Sequence, residues 1–257
     1  MSALVNLDLL LANLQQGDYV GFTFFIGSMA MAAATVFFFF QVSRVEGKWK
    51  DSMLVSGLIT FIAAVHYYYM RDFWAENQVS PTEFRYIDWI LTVPLMCVEF
   101  YLILKAFGAK IGLLWKMIAY SVLMLVAGYL GETVFRAQSV LWGFISTIGY
   151  VGILYEAWLG SAKKMSANSN DPTLQKAFSA LAWFVLVGWA IYPIGYMTIE
   201  SGWLAGVIPG ESMDIIYNIG DAVNKIGFGL VIYTLAAAKT AEMKAANTVS
   251  GSAKVKA

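Results

Sequence analysis

Seven apolar segments, each long enough to cross a hydrocarbon core about 30 Å thick, constrain this chain more than any other feature. They cover residues 19–42, 53–70, 84–107, 113–130, 140–159, 174–199 and 213–237. Inside lipid no water is at hand to bond a free backbone N–H or C=O, so a spanning segment is either a helix or a strand of a closed barrel. Barrel strands are short and alternate apolar with polar residues. These segments are long and continuously apolar, so the sequence predicts an all-α membrane protein, a bundle of seven transmembrane helices forming one domain over 1–257. The last stretch, 246–257, is small and polar with scattered lysines, and reads as a short frayed tail.

Composition agrees with that class. Of the 257 residues 59% are hydrophobic and 13% charged, about half the charge of a soluble domain. The formal net charge is zero, so no nucleic acid or other polyanionic partner is implied. The single cysteine, Cys97, lies in an apolar run and offers neither a disulfide framework nor a metal pattern. Residues 1–8 lack a basic region, and Asp8 interrupts their apolar run, so no cleavable signal peptide is expected.

Loop charge predicts the orientation. The connections after the first, third and fifth segments, with their flanks and the tail, carry Arg44, Lys48, Lys50, Lys105, Lys110, Lys116, Lys163, Lys164, Lys176, Lys239, Lys244, Lys254 and Lys256, while the opposite side carries Arg71 and Arg136. Positive residues stay inside, which places the N-terminus outside and the C-terminus in the cytoplasm. Asp8, Asp18, Asp72, Glu76, Glu83, Glu200, Glu211 and Asp214 then read as solvated external charges.

Against this apolar background Lys225 stands out. A charge in the middle of a spanning helix costs about 2.5–3.5 kcal/mol on insertion scales and marks a functional candidate. Asp221 precedes it by one helical turn on the same face. A structural salt bridge would account for the pair alone; the chemical alternative is a lysine carrying a cofactor as a Schiff base, with aspartate as counter-ion. The third segment adds Arg85, Asp88, Thr92 and Glu99. Asp88 and Glu99 lie close to three turns apart, about 16 Å along the axis, and face the same way with Thr92 between them. With both segments entering from outside, Arg85, Asp88 and Asp221 lie outward of the lysine and Glu99 inward. Interhelical hydrogen bonding would explain one such residue. An ordered column of ionisable groups on two helices instead resembles a proton path. Asp88 can take a proton from the lysine nitrogen. Glu99, among apolar neighbours that favour its neutral form, can return one. Arg85 is expected to stabilise the charge of Asp88 and to steer the proton outward.

Weaker signals surround the column. His66, the single histidine, could be a packed hydrogen-bonder or could tune the carboxylate beside it. Trp89, Trp189, Tyr192 and Tyr217 would each pass for packing, yet together they could sandwich a flat polyene. Pro193 is expected to kink or loosen the sixth helix.

The strings Arg85-Tyr86-Ile87-Asp88-Trp89, Leu91-Thr92-Val93-Pro94-Leu95, Glu99-Phe100-Tyr101-Leu102-Ile103-Leu104, Gly188-Trp189-Ala190-Ile191-Tyr192-Pro193 and Asp221-Ala222-Val223-Asn224-Lys225 closely resemble the proteorhodopsins, and the resemblance runs over all seven segments. It implies a bacterial microbial rhodopsin in the inner membrane, an outward, light-driven proton pump and not an enzyme. It implies all-trans retinal on Lys225, Asp88 as proton acceptor, Asp221 as second counter-ion, Glu99 as donor, and His66 hydrogen-bonded to the acceptor. Trp89, Trp189, Tyr192, Pro193 and Tyr217 become pocket walls. Asp88, Thr92 and Glu99 fill the three positions that separate proton pumps from sodium and chloride pumps. Met96 stands where a glutamine marks blue-absorbing members, which implies green absorption. Gly143 replaces a bulky aromatic of many relatives and is the expected window for an antenna carotenoid, although close helix packing would also use a glycine there. The resemblance further implies a pentamer or hexamer in the bilayer. The competing function is a sensory photoreceptor signalling through a partner protein; Glu99 favours transport, since fast re-protonation serves a pump.

Overall fold

The computed structural model describes residues 16–105, 107–199 and 202–255. The signal-peptide expectation falls on 1–8 and lies outside the described residues. Among them, seven helices are long and apolar enough to span a membrane, which bears out the predicted architecture.

The helices are α1 (Tyr19–Val42), α2 (Trp49–Asn77), α3 (Thr82–Lys105), α4 (Ile111–Tyr129), α5 (Ser139–Trp158), a short connecting α6 (Ser161–Ala167), α7 (Pro172–Trp183), α8 (Ile191–Thr198) and α9 (Gly210–Val255). α7 and α8 together form the sixth span. Local chemistry sets their ends. Asp18 caps α1, accepting from the Gly21 amide at 2.8 Å and from the Trp74 indole at 3.1 Å, so it has a structural role beyond that of a solvated charge. Asp171 caps α7 through the amides of Thr173 and Leu174, with Pro172 in the first helical position, where its missing N–H costs nothing. α2 closes with Gln78 in the left-handed region.

Three elements differ from expectation. α2 is longer than 53–70 because its charged ends, Lys50–Asp51 and Arg71–Asp72, continue the helix beyond the apolar stretch. The sixth span is not continuous: a π-helical turn, Phe184–Gly188, separates α7 from α8. Finally, α9 runs on to Val255, so the predicted frayed tail is helical through most of its length. Alanine, lysine, glutamate and methionine, which dominate residues 236–246 just before that tail, are strong helix formers and carry the helix forward.

Polarity is distributed as a bilayer requires. Phe22, Phe40, Phe61, Trp115 and Phe144 are exposed on the outside, while Thr60, Asp88, Thr92, Glu99, Asn218, Asp221 and Lys225 are buried. Gly149 lets α5 come close to α4: a Cβ there would lie 2.5 Å from the Tyr120 carbonyl oxygen. α3 is the most enclosed span. It packs between α2 and α4, and the polar face of α9 closes the core opposite.

Candidate functional site

The predicted column assembles around Lys225. Its amine lies 2.6 Å from Asp88 Oδ2 and also bonds Asp221 Oδ2, and all three residues are at most 2% exposed. Tyr192 donates to the other oxygen of Asp221 at 2.8 Å. The lysine ammonium is thus clamped between carboxylates from two helices, an arrangement that holds a cationic nitrogen out of water. Thr92 lies between Asp88 and Glu99 as expected, but its hydroxyl donates to the Asp88 carbonyl at 2.9 Å and not to a carboxylate.

Arg85 departs from expectation. It is buried, yet its guanidinium turns away from Asp88 and donates through Nη2 to Asp214 at 2.8 Å and to Asn218 at 2.9 Å. Ser80 donates to the same Asp214 oxygen at 2.7 Å, and Asn218 donates to Thr23 at 3.0 Å. Phe24 and Tyr217 lie against the guanidinium carbon at 5.1 and 5.2 Å. Asp214 is therefore no solvated charge: at 4% exposure it is the buried partner of Arg85. The reason is geometric. Asp214, Asn218, Asp221 and Lys225 are spaced four, three and four residues apart, so α9 presents them as one polar stripe. The long Arg85 side chain reaches the Asp214 end of that stripe, where an anion and an amide both accept from its Nη2. The spacing was visible in the sequence and is the signal that would have found Asp214 and Asn218.

At the far end of the column from Arg85 stands Glu99. Fully buried, it accepts from Ser56 of α2 at 2.6 Å. Phe100 beside it packs edge-on against Phe178 at 5.7 Å and Phe228 at 5.6 Å. Ser56 was not anticipated; its i,i+4 partner Thr60, itself bonded to Thr35, marks a polar stripe on α2.

His66 is half-buried, and its recorded hydrogen bond is from Nδ1 to the Ile62 carbonyl at 2.8 Å. Among the described residues no hydrogen bond joins it to Asp88, contrary to the implied pairing. A carbonyl only accepts, so Nδ1 carries a proton and Nε2 is left as an acceptor in the neutral ring.

A cavity of about 300 Å³ lies beside the column. Trp89, Trp189, Tyr192, Pro193, Tyr217 and Gly143 all line it, as predicted, whereas Met96 and Lys225 do not. Met96 is buried in the packing around α3, and the lysine amine is drawn to its carboxylates. Trp89 meets Tyr192 and Tyr217 edge-on at 4.9 and 5.6 Å. The site suits retinal on two counts: an aromatic cavity for a flat apolar chain, and an amine flanked by two carboxylates, one of which keeps a buried oxygen, Asp88 Oδ1, without a partner among the described residues. At Gly143 the ring of Tyr196 lies so close that an added Cβ would stand 2.6 Å from its Cε1. Tyr196 is fixed there by donating to the Ser139 carbonyl at 2.7 Å. Glu132, in the π-helical turn that ends the fourth span, accepts from Tyr86 at 2.8 Å; at the edge of an apolar segment, its position alone does not mark it in the sequence.

Comparison with known proteins agrees with this geometry. Residues 18–239 match the family model described as bacteriorhodopsin-like protein. The chain is 45% identical over 228 residues to the green-light absorbing proteorhodopsin of Gamma-proteobacterium EBAC31A08, covering 87% of this chain and 89% of that one. It is 44% identical, over 87% and 88%, to the blue-light absorbing proteorhodopsin of Gamma-proteobacterium Hot 75m4. Among solved structures it is similar to blue light-absorbing proteorhodopsin from Med12, at 40% identity and TM-score 0.71 over 85% of this chain and 98% of that one. It is also similar to xanthorhodopsin, described as a light-driven ion pump with dual chromophore, at 30% identity and TM-score 0.78 over 90% and 98%. With its multi-pass helical bundle, the chain belongs to the bacteriorhodopsin-like family, among the proteorhodopsins.

Proposed function

We propose that this protein is a retinal-binding, light-driven pump that moves protons outward across the bacterial inner membrane. The observation that carries the reading is the buried Lys225 amine held between Asp88 and Asp221, with Glu99 sealed separately on the other side. Lys225 would hold retinal as a protonated Schiff base, with Trp89, Trp189, Tyr192 and Tyr217 as apolar walls, and the bound group would supply light absorption and a light-triggered change in the lysine nitrogen's hold on its proton.

The chain's residues do the rest. Asp88 takes the proton from the Lys225 nitrogen: the N–H bond breaks and an O–H bond forms on the carboxylate. Asp221, oriented by Tyr192, keeps its negative charge beside the site. Arg85, tied to Asp214 and Asn218, holds a fixed positive charge on the outward side, which disfavours retention of a proton there. Glu99 then gives its proton to the lysine nitrogen from the cytoplasmic side. Ser56 bonds Oε1, so Oε2 is the oxygen that carries this proton. Transfer needs hydrogen-bond reach or a bridging water, and Glu99 lies about 16 Å deeper along α3 than Asp88. Re-protonation therefore requires the apolar seal to loosen.

The orientation follows from loop charge, with the C-terminus in the cytoplasm. Met96 supports green absorption. The family resemblance supports a homo-oligomer of five or six copies. An antenna carotenoid at Gly143 would have to stack on, or displace, Tyr196.

The test is the pH of an unbuffered suspension of cells expressing the chain with all-trans retinal, under green light. Acidification abolished by a protonophore is the expected result. A coloured protein with no pH change would favour the sensory function, and alkalinisation enhanced by the protonophore would identify another ion as cargo.

A further inference from the structure

The sixth span is broken where it passes the cavity. α7 ends at Trp183, the π-helical turn closes with the Trp189 amide on the Phe184 carbonyl at 3.0 Å, and α8 begins at Ile191. Such a turn interrupts the α-helical ladder, so carbonyls within it need partners from elsewhere. Neighbouring helices supply them. Tyr150 of α5 bonds the carbonyls of Val185 and Leu186 at 2.9 and 3.0 Å. Asn224 of α9, 3% exposed, donates to the Gly188 carbonyl at 2.9 Å. Gly188 is held closely on that side: a Cβ would collide with Asn224 Oδ1.

Asn224 is the residue before Lys225. Its amide also lies 3.5 Å from the Tyr192 hydroxyl, which donates to Asp221. One side chain thus touches the break in the sixth span and the carboxylate network around the lysine. On the cytoplasmic side of the break, α7 carries Phe178, fully buried against Phe100 next to Glu99. Phe184, the first residue of the turn, packs on Phe228, which meets the same Phe100.

We propose that Asn224 is a positioning residue for re-protonation, which passes displacement at Lys225 to the Gly188 carbonyl and so to the half-helix that holds Phe178 over Glu99. This rests on the retinal and proton-pump reading above. Asn224 does not itself exchange a proton; it acts by coupling the lysine to the seal.

Asn224→Ala and Gly188→Ala break the contact from opposite sides, and either can carry the test if the other does not fold. Two readouts are needed. The first is backbone amide hydrogen exchange in retinal-free protein, resolved along residues 176–190. The second is flash spectroscopy of the retinal-loaded protein, following loss and recovery of the proton at Lys225. Loss of one neutral hydrogen bond corresponds to about a five- to tenfold effect. The expected result is exchange raised by that factor in the π-helical turn and the end of α7, with re-protonation slowed similarly and slowed more than the first transfer to Asp88. Exchange raised evenly over all spans, or re-protonation that is unchanged or faster, overturns the proposal. If wild-type protein shows no Glu99-dependent recovery, the pump reading falls; if it does and the variants match it, only the role of Asn224 falls.

Discussion

The two halves of the core, on either side of Lys225, are built differently. On one side of Lys225 the polar groups form two neighbouring clusters: Asp88 and Asp221 on the lysine with Tyr192 on Asp221, and separately Arg85 bridging Asp214 and Asn218. On the other side one carboxyl, Glu99, keeps a single serine bond behind a seal of phenylalanines. A proton can pass from the lysine nitrogen to Asp88 with a small local shift, because those two groups are already in contact. A sealed carboxyl lacks such a contact, and must wait for the seal to move. On the proposed pump function the contrast gives the column a direction: the first transfer, to Asp88, is prepared in the resting protein, whereas refilling from Glu99 depends on a conformational step.

Substitutions test the contrast in order of size. Asp88→Asn removes the proposed acceptor and is expected to abolish light-induced acidification; pumping that survives would mean the proton leaves by another group. Glu99→Gln removes the proposed donor while leaving the half around Asp88 and Arg85 intact. Recovery of the proton at Lys225 should slow by about 10²-fold or more, the usual worth of a positioned acid, while the first transfer keeps its rate. Equal slowing of both steps in flash spectroscopy would erase the distinction between the halves. Asp214→Asn strands the buried Arg85 and should cost about 3 kcal/mol of stability, read as a lowered melting temperature and restored in part by Arg85→Gln in the same chain. A neutral result would return Asp214 to the solvated charges. Ser56→Ala should slow recovery by only about fivefold, the value of one hydrogen bond.

The smallest effect lies outside the column. Asp171 caps α7 and pairs with Lys239 at 2.7 Å. Burial pushes its carboxyl up, but the hydrogen bonds from Lys239 and from the Leu174 and Thr173 amides outweigh that and hold it below its ordinary value. A lowered carboxylate contributes stability above its unfolded value near 3.9 and loses it as pH falls through the folded value. Asp171→Asn should therefore cost at most about 1 kcal/mol at neutral pH and nothing once pH drops well below 4 in thermal melts. A deficit that persists in acid would assign the loss to capping geometry.

Much of this was legible in the sequence, for a physical reason. A charge within twenty apolar residues is costly, so Lys225, Asp88, Asp221 and Glu99 announced themselves, and their spacing set their order along the bundle. What stayed hidden is what hydropathy does not weigh. Ser56 and Asn224 are small polar residues that a helix tolerates anywhere, and their partners lie on other helices. Asp214 lay near a segment end, where a carboxylate is usually wet. The rotamer that takes Arg85 to Asp214 instead of Asp88 depends on where α9 sits beside α3. Pro193 foretold an irregular sixth span, but the π-helical turn begins nine residues earlier, at Phe184, where Tyr150 and Asn224 from neighbouring helices satisfy the carbonyls.

The most direct measurement is time-resolved infrared difference spectroscopy of the carboxyl stretches in the retinal-loaded protein under flash excitation. The expected result is a protonated-carboxyl band that appears as the Lys225 proton is lost and vanishes in Asp88→Asn, followed by a transient loss of a second band that vanishes in Glu99→Gln. One carboxyl change alone, or two that survive both substitutions, would contradict a proton path running from Glu99 through Lys225 to Asp88.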